Sequence, residues 1–227
     1  MKNELKNGFM ANLPISISVF TYGAVLGIIC TSKGISFLQL ALMNIFIFAG
    51  SAQFLIVDML SSPVNISVVV WSALLINLRY FLIGASLNEF FTNTSLKKRL
   101  FIMHFVTDES WAVTMSKNKK QGVSVFFLLG GGFCIFIVWF LGTLSGYYFG
   151  EFISNPKLYG LDFAFLALFT AIITSMYKTK NDLIIYLITA IIAVLLEKLL
   201  ANMSYIIFSA FIGSFLYVYL NKRQNDE

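Results

Sequence analysis

The stretch VSVFFLLGGGFCIFIVWFLGTLSGYYF occupies residues 123 to 149 and contains no charged side chain. A helix needs roughly 20 consecutive apolar residues to cross a hydrocarbon core about 30 Å thick. In lipid each spanning segment must satisfy its own backbone hydrogen bonds, which a helix does within itself. The stretch therefore predicts a transmembrane helix and assigns the chain to the all-α membrane proteins.

The same character extends along the chain of 227 residues, which is 58% hydrophobic and 12% charged, with a mean hydropathy of +0.81. A soluble domain is nearer half apolar and a quarter charged. Further apolar segments predict spans at residues 13–31, 35–60, 65–87, 161–177, 183–196 and 203–220. We expect one transmembrane domain over residues 1–227, with seven or eight helices, of which some are broken or re-entrant.

Residues 100–115 form a less certain span, since the segment FIMHFVTDESWAVTMS is short and contains three ionisable side chains, His104, Asp108 and Glu109. Insertion of such a segment without help is costly. Basic clusters at 97–99 and 117–120 flank it, and the positive-inside rule places both in the cytoplasm. The segment is then expected to dip into the membrane or to lie along its interface.

The net charge of +5 comes from short basic clusters between apolar runs, which is typical of cytoplasmic loops and not of a nucleic-acid-binding face. The clusters predict a cytoplasmic C-terminus after Lys222 and Arg223. The side of the membrane on which the N-terminus lies stays open. Seven simple crossings would put Lys2 outside, and eight would put the basic cluster 97–99 outside, so neither count agrees with the positive-inside rule at both places. A re-entrant break within residues 47–54 is the third solution.

The segment F48-A-G-S-A-Q-F54 interrupts a bulky apolar span with small residues and the amide of Gln53. A helix broken here would present free N–H groups near Gly50 and Ser51, which suit a substrate carboxylate. Small residues also let neighbouring helices pack closely. Both interpretations, a binding site and close packing, remain open.

Asn77 and Arg79 lie within the predicted span 65–87. Arg79 precedes Leu87 by eight residues, which is about 12 Å at 1.5 Å per residue. An arginine this deep is either functional and paired or an anchor that extends to the interface. Asp58, near the end of its own span, is expected to be solvated, with pairing to Arg79 as the alternative.

His104 and Asp108 would fall one turn apart on one face if the segment were a continuous helix, with Glu109 beside them. They are candidates for proton coupling or substrate contact. A metal site and a water-facing interfacial helix are the alternatives, although one histidine with two carboxylates is a thin ligand set. No P-loop motif occurs, so neither nucleotide nor any other cofactor is expected.

Several other features are expected to be structural. Cys30 and Cys134 lie in apolar runs, where they predict packing. Gly142, Gly146 and Gly150 form a G-x-x-x-G-x-x-x-G ridge, which allows close contact with a helix of this chain or of a second subunit. Candidate interfacial aromatic anchors are Trp71, Trp139, Tyr147, Tyr148, Tyr217 and Tyr219.

At these motifs the chain resembles the AzlC family, the large subunit of two-component branched-chain amino acid permeases. The resemblance depends on the order and spacing of Pro14, F48-A-G-S-A-Q-F54, N77-L-R-Y80 with G84-A-S-L87, T107-D-E-S110 and G160-L-D-F-A-F165. Two departures are visible. Phe20-Thr21-Tyr22-Gly23 stands where the family often has Pro-Phe-Gly, and Tyr80 stands where it often has histidine, so proton handling at position 80 is not expected.

The resemblance implies a multi-pass protein of the bacterial cell membrane that exports branched-chain amino acids, with a small partner subunit of the AzlD type having about four helices. It suggests a secondary transporter coupled to an ion or to protons. A zwitterionic substrate would place its carboxylate on Arg79 or the Gly50–Ser51 amides and its ammonium on Gln53, Asn77 or Asp108. A non-transporting scaffold subunit and a membrane enzyme using His104, Asp108 and Glu109 are the alternatives.

Overall fold

The computed structural model describes residues 2–60, 64–92, 94–153, 179–199 and 204–225, with residues 170, 173, 174 and 177. The described part is all-α, as predicted, and contains no strand. Its helices are α1 (Lys2–Ser32), α2 (Phe37–Phe46), α3 (Gly50–Met59), α4 (Ile66–Asn77), α5 (Arg79–Ser86), α6 (Leu96–His104), α7 (Asp108–Gln121), α8 (Val125–Gly150), α9 (Lys180–Leu199) and α10 (Ser204–Asn225).

Three helical stretches of the described part have the length and apolar composition of a membrane span, namely Lys2–Ser32, Ile66–Ser86 and Val125–Gly150. They confirm the predicted spans 13–31, 65–87 and 123–149. α4 and α5 share the second stretch and are separated only at Leu78. The predicted spans 183–196 and 203–220 fall within α9 and α10, whereas most of 161–177 lies outside the described residues.

The chain divides into two compact units. Unit 1 holds residues 1–64 and 76–165, and unit 2 holds residues 65–75 and 166–227. Within unit 2, α9 and α10 pack together, and Gly213 approaches the side chain of Thr189 so closely that a Cβ atom would overlap it. The candidate polar residues all lie in unit 1. The single domain predicted for residues 1–227 stays a prediction.

α1 and α8 form the central helix pair of unit 1 and run parallel. The start of α1 meets the start of α8, where Glu4 Oε2 accepts hydrogen bonds from the Ser124 N–H and hydroxyl at 3.4 and 3.3 Å. At the far ends Thr31 Oγ1 donates to the Tyr147 carbonyl at 2.9 Å. The α8 glycines sit against the α1 backbone, so that a Cβ at Gly142 or Gly146 would collide with it. The predicted glycine ridge therefore serves an internal neighbour.

Segment 35–60 is a helical hairpin, hairpin 1, which consists of α2, a turn at residues 47–49 and α3. Its two outer ends meet, because the Lys33 ammonium donates to the Val57 and Asp58 carbonyls at 2.9 and 2.8 Å and pairs with the Asp58 carboxylate at 3.3 Å. One continuous helix over 35–60 is therefore wrong, because the segment is broken at residues 47–49; that this hairpin is re-entrant in the membrane stays a prediction. Asp58 pairs with Lys33 and not with Arg79.

Segment 96–121 is a second hairpin, hairpin 2, in which α6 and α7 are joined by residues 105–107. A capping box starts α7 sharply, since Ser110 N–H donates to Thr107 Oγ1 at 3.3 Å and Thr107 N–H to Ser110 Oγ at 3.0 Å. His104 therefore ends one helix and Asp108 begins another. The expectation that they share one helical face is wrong.

Hairpin 2 is rooted at the end of unit 1 where α1 and α8 begin. Arg99 donates to the Phe91 carbonyl at 2.7 Å, and Asn118 donates to Glu89 at 3.2 Å while accepting from the Val123 N–H at 3.0 Å. Its apolar side packs into a cluster formed by Ile83, Leu87, Phe91, Ile102, Val106, Leu128 and Leu129. Hairpins 1 and 2 thus enter unit 1 from opposite ends.

Candidate functional site

The tips of the two hairpins meet on the middle of α8 in an aromatic cluster. The Phe136 ring lies 5.0 Å from that of Phe48 in hairpin 1 and 5.3 Å from that of Phe105 in hairpin 2. His104 packs edge-on against Phe105 at 5.0 Å. Phe48 has a φ of 23°, a backbone conformation that side-chain-bearing residues rarely adopt. Such strain persists where the surrounding packing requires it, and it is concentrated at functional sites.

Arg79 links the two tips. It begins α5 at the interruption after Leu78, and its Nη2 donates to Ser51 Oγ in hairpin 1 at 2.6 Å. Its Nη1 pairs with Asp108 Oδ2 in hairpin 2 at 3.0 Å. Of the residues predicted to form the site, the structure therefore brings Arg79, Ser51 and Asp108 into direct contact. The arginine is paired, so it is not an anchor that extends to the interface.

Two helix N-termini lie beside Arg79. α3 begins at Gly50 without any side-chain cap, so no side chain takes up its first N–H groups. α7 begins at Asp108, where a carboxylate is favoured by the helix dipole. Glu109 follows it in the same first turn. The first turn of α7 already carries two carboxylates and a capping box, so the positive features left for a substrate anion are Arg79 and the uncapped N-terminus of α3.

Within the described residues, the buried polar atoms without hydrogen-bond partners include Arg79 Nε at this site, Gln53 Oε1 two positions after Ser51 and Asn77 Oδ1 two positions before Arg79. Buried polar groups are nearly always satisfied, and an exception calls for a missing partner. Arg79 Nε is a donor on a cation, whereas the other two atoms are neutral acceptors.

A buried amide network holds hairpin 1 to α8. Asn44, which is 0% exposed, donates to Thr143 Oγ1 at 2.6 Å and accepts from Gln53 Nε2 at 2.8 Å and Trp139 Nε1 at 3.2 Å. Gln53 is equally buried, and its bond to Asn44 ties the first turn of α3 to α2. The expectation that Trp139 is an interfacial anchor is wrong, because its ring covers Gly50 near the middle of α8.

Sequence reasoning missed Asn44 and Thr143. Asn44 was detectable as a lone amide in the apolar run of α2, but its partner lies 99 positions away. The metal alternative for His104, Asp108 and Glu109 gains nothing, because the described residues contain no group of three ligating side chains able to hold a metal ion.

Comparison with known proteins gives several bacterial membrane proteins as relatives. A Helicobacter pylori (strain ATCC 700392 / 26695) uncharacterized membrane protein is 28% identical over 179 residues, covering 78% of this chain and 77% of its own length. The Bacillus subtilis (strain 168) branched-chain amino acid transport protein AzlC is 27% identical over 183 residues, with 78% and 69% covered. The Escherichia coli (strain K12) inner membrane protein YgaZ is 26% identical over 182 residues, with 78% and 74% covered.

No solved structure matches the chain. Residues 14–153 match the AzlC protein family, a region that includes both hairpins, Arg79 and most of α1 and α8. This match covers more than half of the chain and confirms the resemblance drawn from its motifs. The protein is a helical membrane protein that belongs to the AzlC family.

Proposed function

We propose that this protein is the large subunit of a secondary transporter that exports branched-chain amino acids across the bacterial cell membrane. The supporting observation is the bridging arginine: Arg79 contacts Ser51 at 2.6 Å and Asp108 at 3.0 Å, at the tips of two hairpins that enter from opposite ends. The Bacillus subtilis relative is named for branched-chain amino acid transport. Export is the direction that the family resemblance implies.

In this proposal the substrate carboxylate binds the Arg79 guanidinium and the free N–H groups at Gly50 and Ser51. The ammonium binds Asn77 Oδ1 and Asp108. The aliphatic side chain packs on the aromatic cluster, since Phe48 and Phe105 each lie three residues before a contact of Arg79. A few placed polar groups in apolar surroundings are typical of a small-molecule site.

The hairpin arrangement also suggests how access alternates. Each tip contributes one contact to Arg79, so loosening either contact would free one hairpin while the other stays attached. Asp108 and Glu109, with His104 as a further candidate, would couple proton entry to amino-acid exit, as carboxylates within membranes often do. A small subunit of the AzlD type, with about four helices, is the proposed partner.

The test is valine efflux from cells preloaded with a valine-containing dipeptide, with the partner subunit co-expressed. Arg79→Lys keeps the charge but loses the planar fork that reaches Ser51 and Asp108 together. Loss of one hydrogen bond to a charged group costs about 1.5 to 3 kcal/mol, which is about tenfold or more in the initial rate. We expect that loss in Arg79→Lys and a near-complete loss in Arg79→Ala.

Arg99→Lys is the matched control, because Arg99 donates only to backbone carbonyls of the 91–94 turn. It should keep native efflux at equal expression. Native efflux in both Arg79 variants would remove this residue from the transport site. If cells with the native protein released valine no faster than cells without it, the proposed function itself would be overturned.

A further inference from the structure

The ion pair between Arg79 and Asp108 is partly accessible, with 26% of the arginine side chain and 40% of the aspartate side chain exposed. The described residues give Asp108 no other basic partner within ion-pair distance. Lys33, the other paired cation, is occupied by Asp58 at the opposite end of hairpin 1. Asp108 thus depends on Arg79 for its balancing charge, while Arg79 also lies close to the Glu109 carboxylate.

We propose that an amino acid binds by inserting into this ion pair, and that Asp108 selects zwitterions over molecules with one charge. The inference rests on the transport function proposed above and deepens it. The substrate carboxylate would take Nη1 of Arg79, the donor that Asp108 now occupies, and the freed Asp108 carboxylate would take the substrate ammonium. Ser51 would keep its bond to Nη2 throughout.

Insertion of a zwitterion conserves the charge balance of the site. One ion pair becomes two, Arg79 with the carboxylate and Asp108 with the ammonium, and neither protein charge is left alone. A 2-oxo acid would pair with Arg79 but leave Asp108 without a balancing charge. A simple amine would pair with Asp108 but leave Arg79 without one. An unpaired charge in a partly dehydrated site is strongly unfavourable, so the pair discriminates against both.

Asn77 adds to this arrangement without replacing Asp108. Its buried Oδ1 is an acceptor with no partner among the described residues, and it lies two positions before Arg79. A neutral amide oxygen can accept from an ammonium but cannot balance its charge. Asp108 therefore carries the selection by charge, whereas Asn77 contributes to orientation.

The test is competition against radiolabelled L-valine bound to the purified full-length protein. The competitors are unlabelled valine, its 2-oxo acid analogue 3-methyl-2-oxobutanoate, and isobutylamine, which retains only the amine. The native protein should prefer valine over either single-charge analogue by at least tenfold. In Asp108→Asn the ratio of inhibition constants should shift at least tenfold towards the 2-oxo acid, because no carboxylate is stranded.

Asp108→Glu keeps the charge and should restore the preference for valine. Asp58→Asn removes the other paired carboxylate and should leave the ratio native. A native protein that binds the 2-oxo acid as well as valine would overturn the inference without any variant, and so would an unchanged ratio in Asp108→Asn. Absence of valine binding to the native protein would instead overturn the transport function on which the inference rests.

Discussion

Gly50 begins α3 directly beneath the indole of Trp139. A Cβ atom at this position would lie 2.9 Å from Trp139 Cη2 and 3.3 Å from Cζ3. The indole cannot easily move away, because its Nε1 donates to the buried Asn44. The next residue, Ser51, is the one that contacts Arg79. A methyl group added at Gly50 would therefore displace the tip of hairpin 1 next to the contact between Ser51 and Arg79.

Gly50→Ala is predicted to reduce valine efflux several-fold while the protein still inserts and accumulates, since overpacking costs about 1 to 3 kcal/mol. Gly84→Ala is the matched control, because a Cβ there meets only Met103 Cε at 3.7 Å, an ordinary contact. Efflux at equal expression measures both. Native efflux in Gly50→Ala would show that the tip tolerates displacement.

Individual site residues were predictable to the extent that they are polar within apolar runs. Arg79, Ser51 and Asp108 stand out in this way, and the structure brings them into contact. The contact itself was not predictable, because Ser51 and Arg79 lie on different helices 28 positions apart. Gln53 was predicted to bind substrate for the same reason; it is fully buried and donates to Asn44, while its Oε1 has no partner, so its part in binding stays a prediction. Polarity alone does not distinguish a side chain that binds substrate from one that holds the scaffold.

Among the elements, hairpin 1 is joined to α8 by ring contacts and by the hydrogen bonds of one buried amide, Asn44. Asn44 bonds Thr143 and Trp139 on α8 and Gln53 on the returning arm. Removing it would leave buried donors without acceptors, each at a cost of about 1 to 3 kcal/mol. The attachment is therefore a property of the hairpin and α8 together, and a double-mutant cycle can measure it.

Asn44→Ala and Thr143→Val are predicted to be non-additive in unfolding free energy, with a coupling of about 0.5 to 3 kcal/mol, because they remove the same 2.6 Å bond. Thermal unfolding of the purified protein gives the four values of the cycle. Asn118→Ala replaces Asn44→Ala in the control cycle. Asn118 bonds Glu89 at the other end of α8, so this cycle should be additive. Additivity in the first cycle would contradict the network.

The hairpins also show where hydropathy stops being informative. A run such as 35–60 is long enough for one span or for two short helices, and composition does not separate these possibilities. The deciding features are the turn at 47–49, with its positive φ at Phe48, and the contact of Lys33 with Asp58. The glycine ridge, in contrast, predicted close packing correctly but not its partner, since nothing in α8 alone indicates α1.

For the molecule as a whole, the parallel course of α1 and α8 bears on the side of the N-terminus that the sequence left open. In unit 1 the start of α1 and the start of α8 lie at one end, together with the root of hairpin 2. That end holds Lys2, Lys6, Lys97, Lys98, Arg99, Lys117 and Lys119. From the positive-inside rule we predict that this end is cytoplasmic and that the N-terminus is inside.

Single cysteines test this topology in a background where the buried Cys30 and Cys134 are replaced by serine. In intact cells a membrane-impermeant maleimide should label both Ser32→Cys and Asp58→Cys, because hairpin 1 returns to the end from which it entered. Asn3→Cys and Thr92→Cys should be labelled only after permeabilisation. A continuous span over 35–60 predicts the opposite for the first pair, with residues 32 and 58 on different sides. That result would contradict the re-entrant hairpin, and with it the approach of two hairpin tips to Arg79 from opposite faces of the membrane.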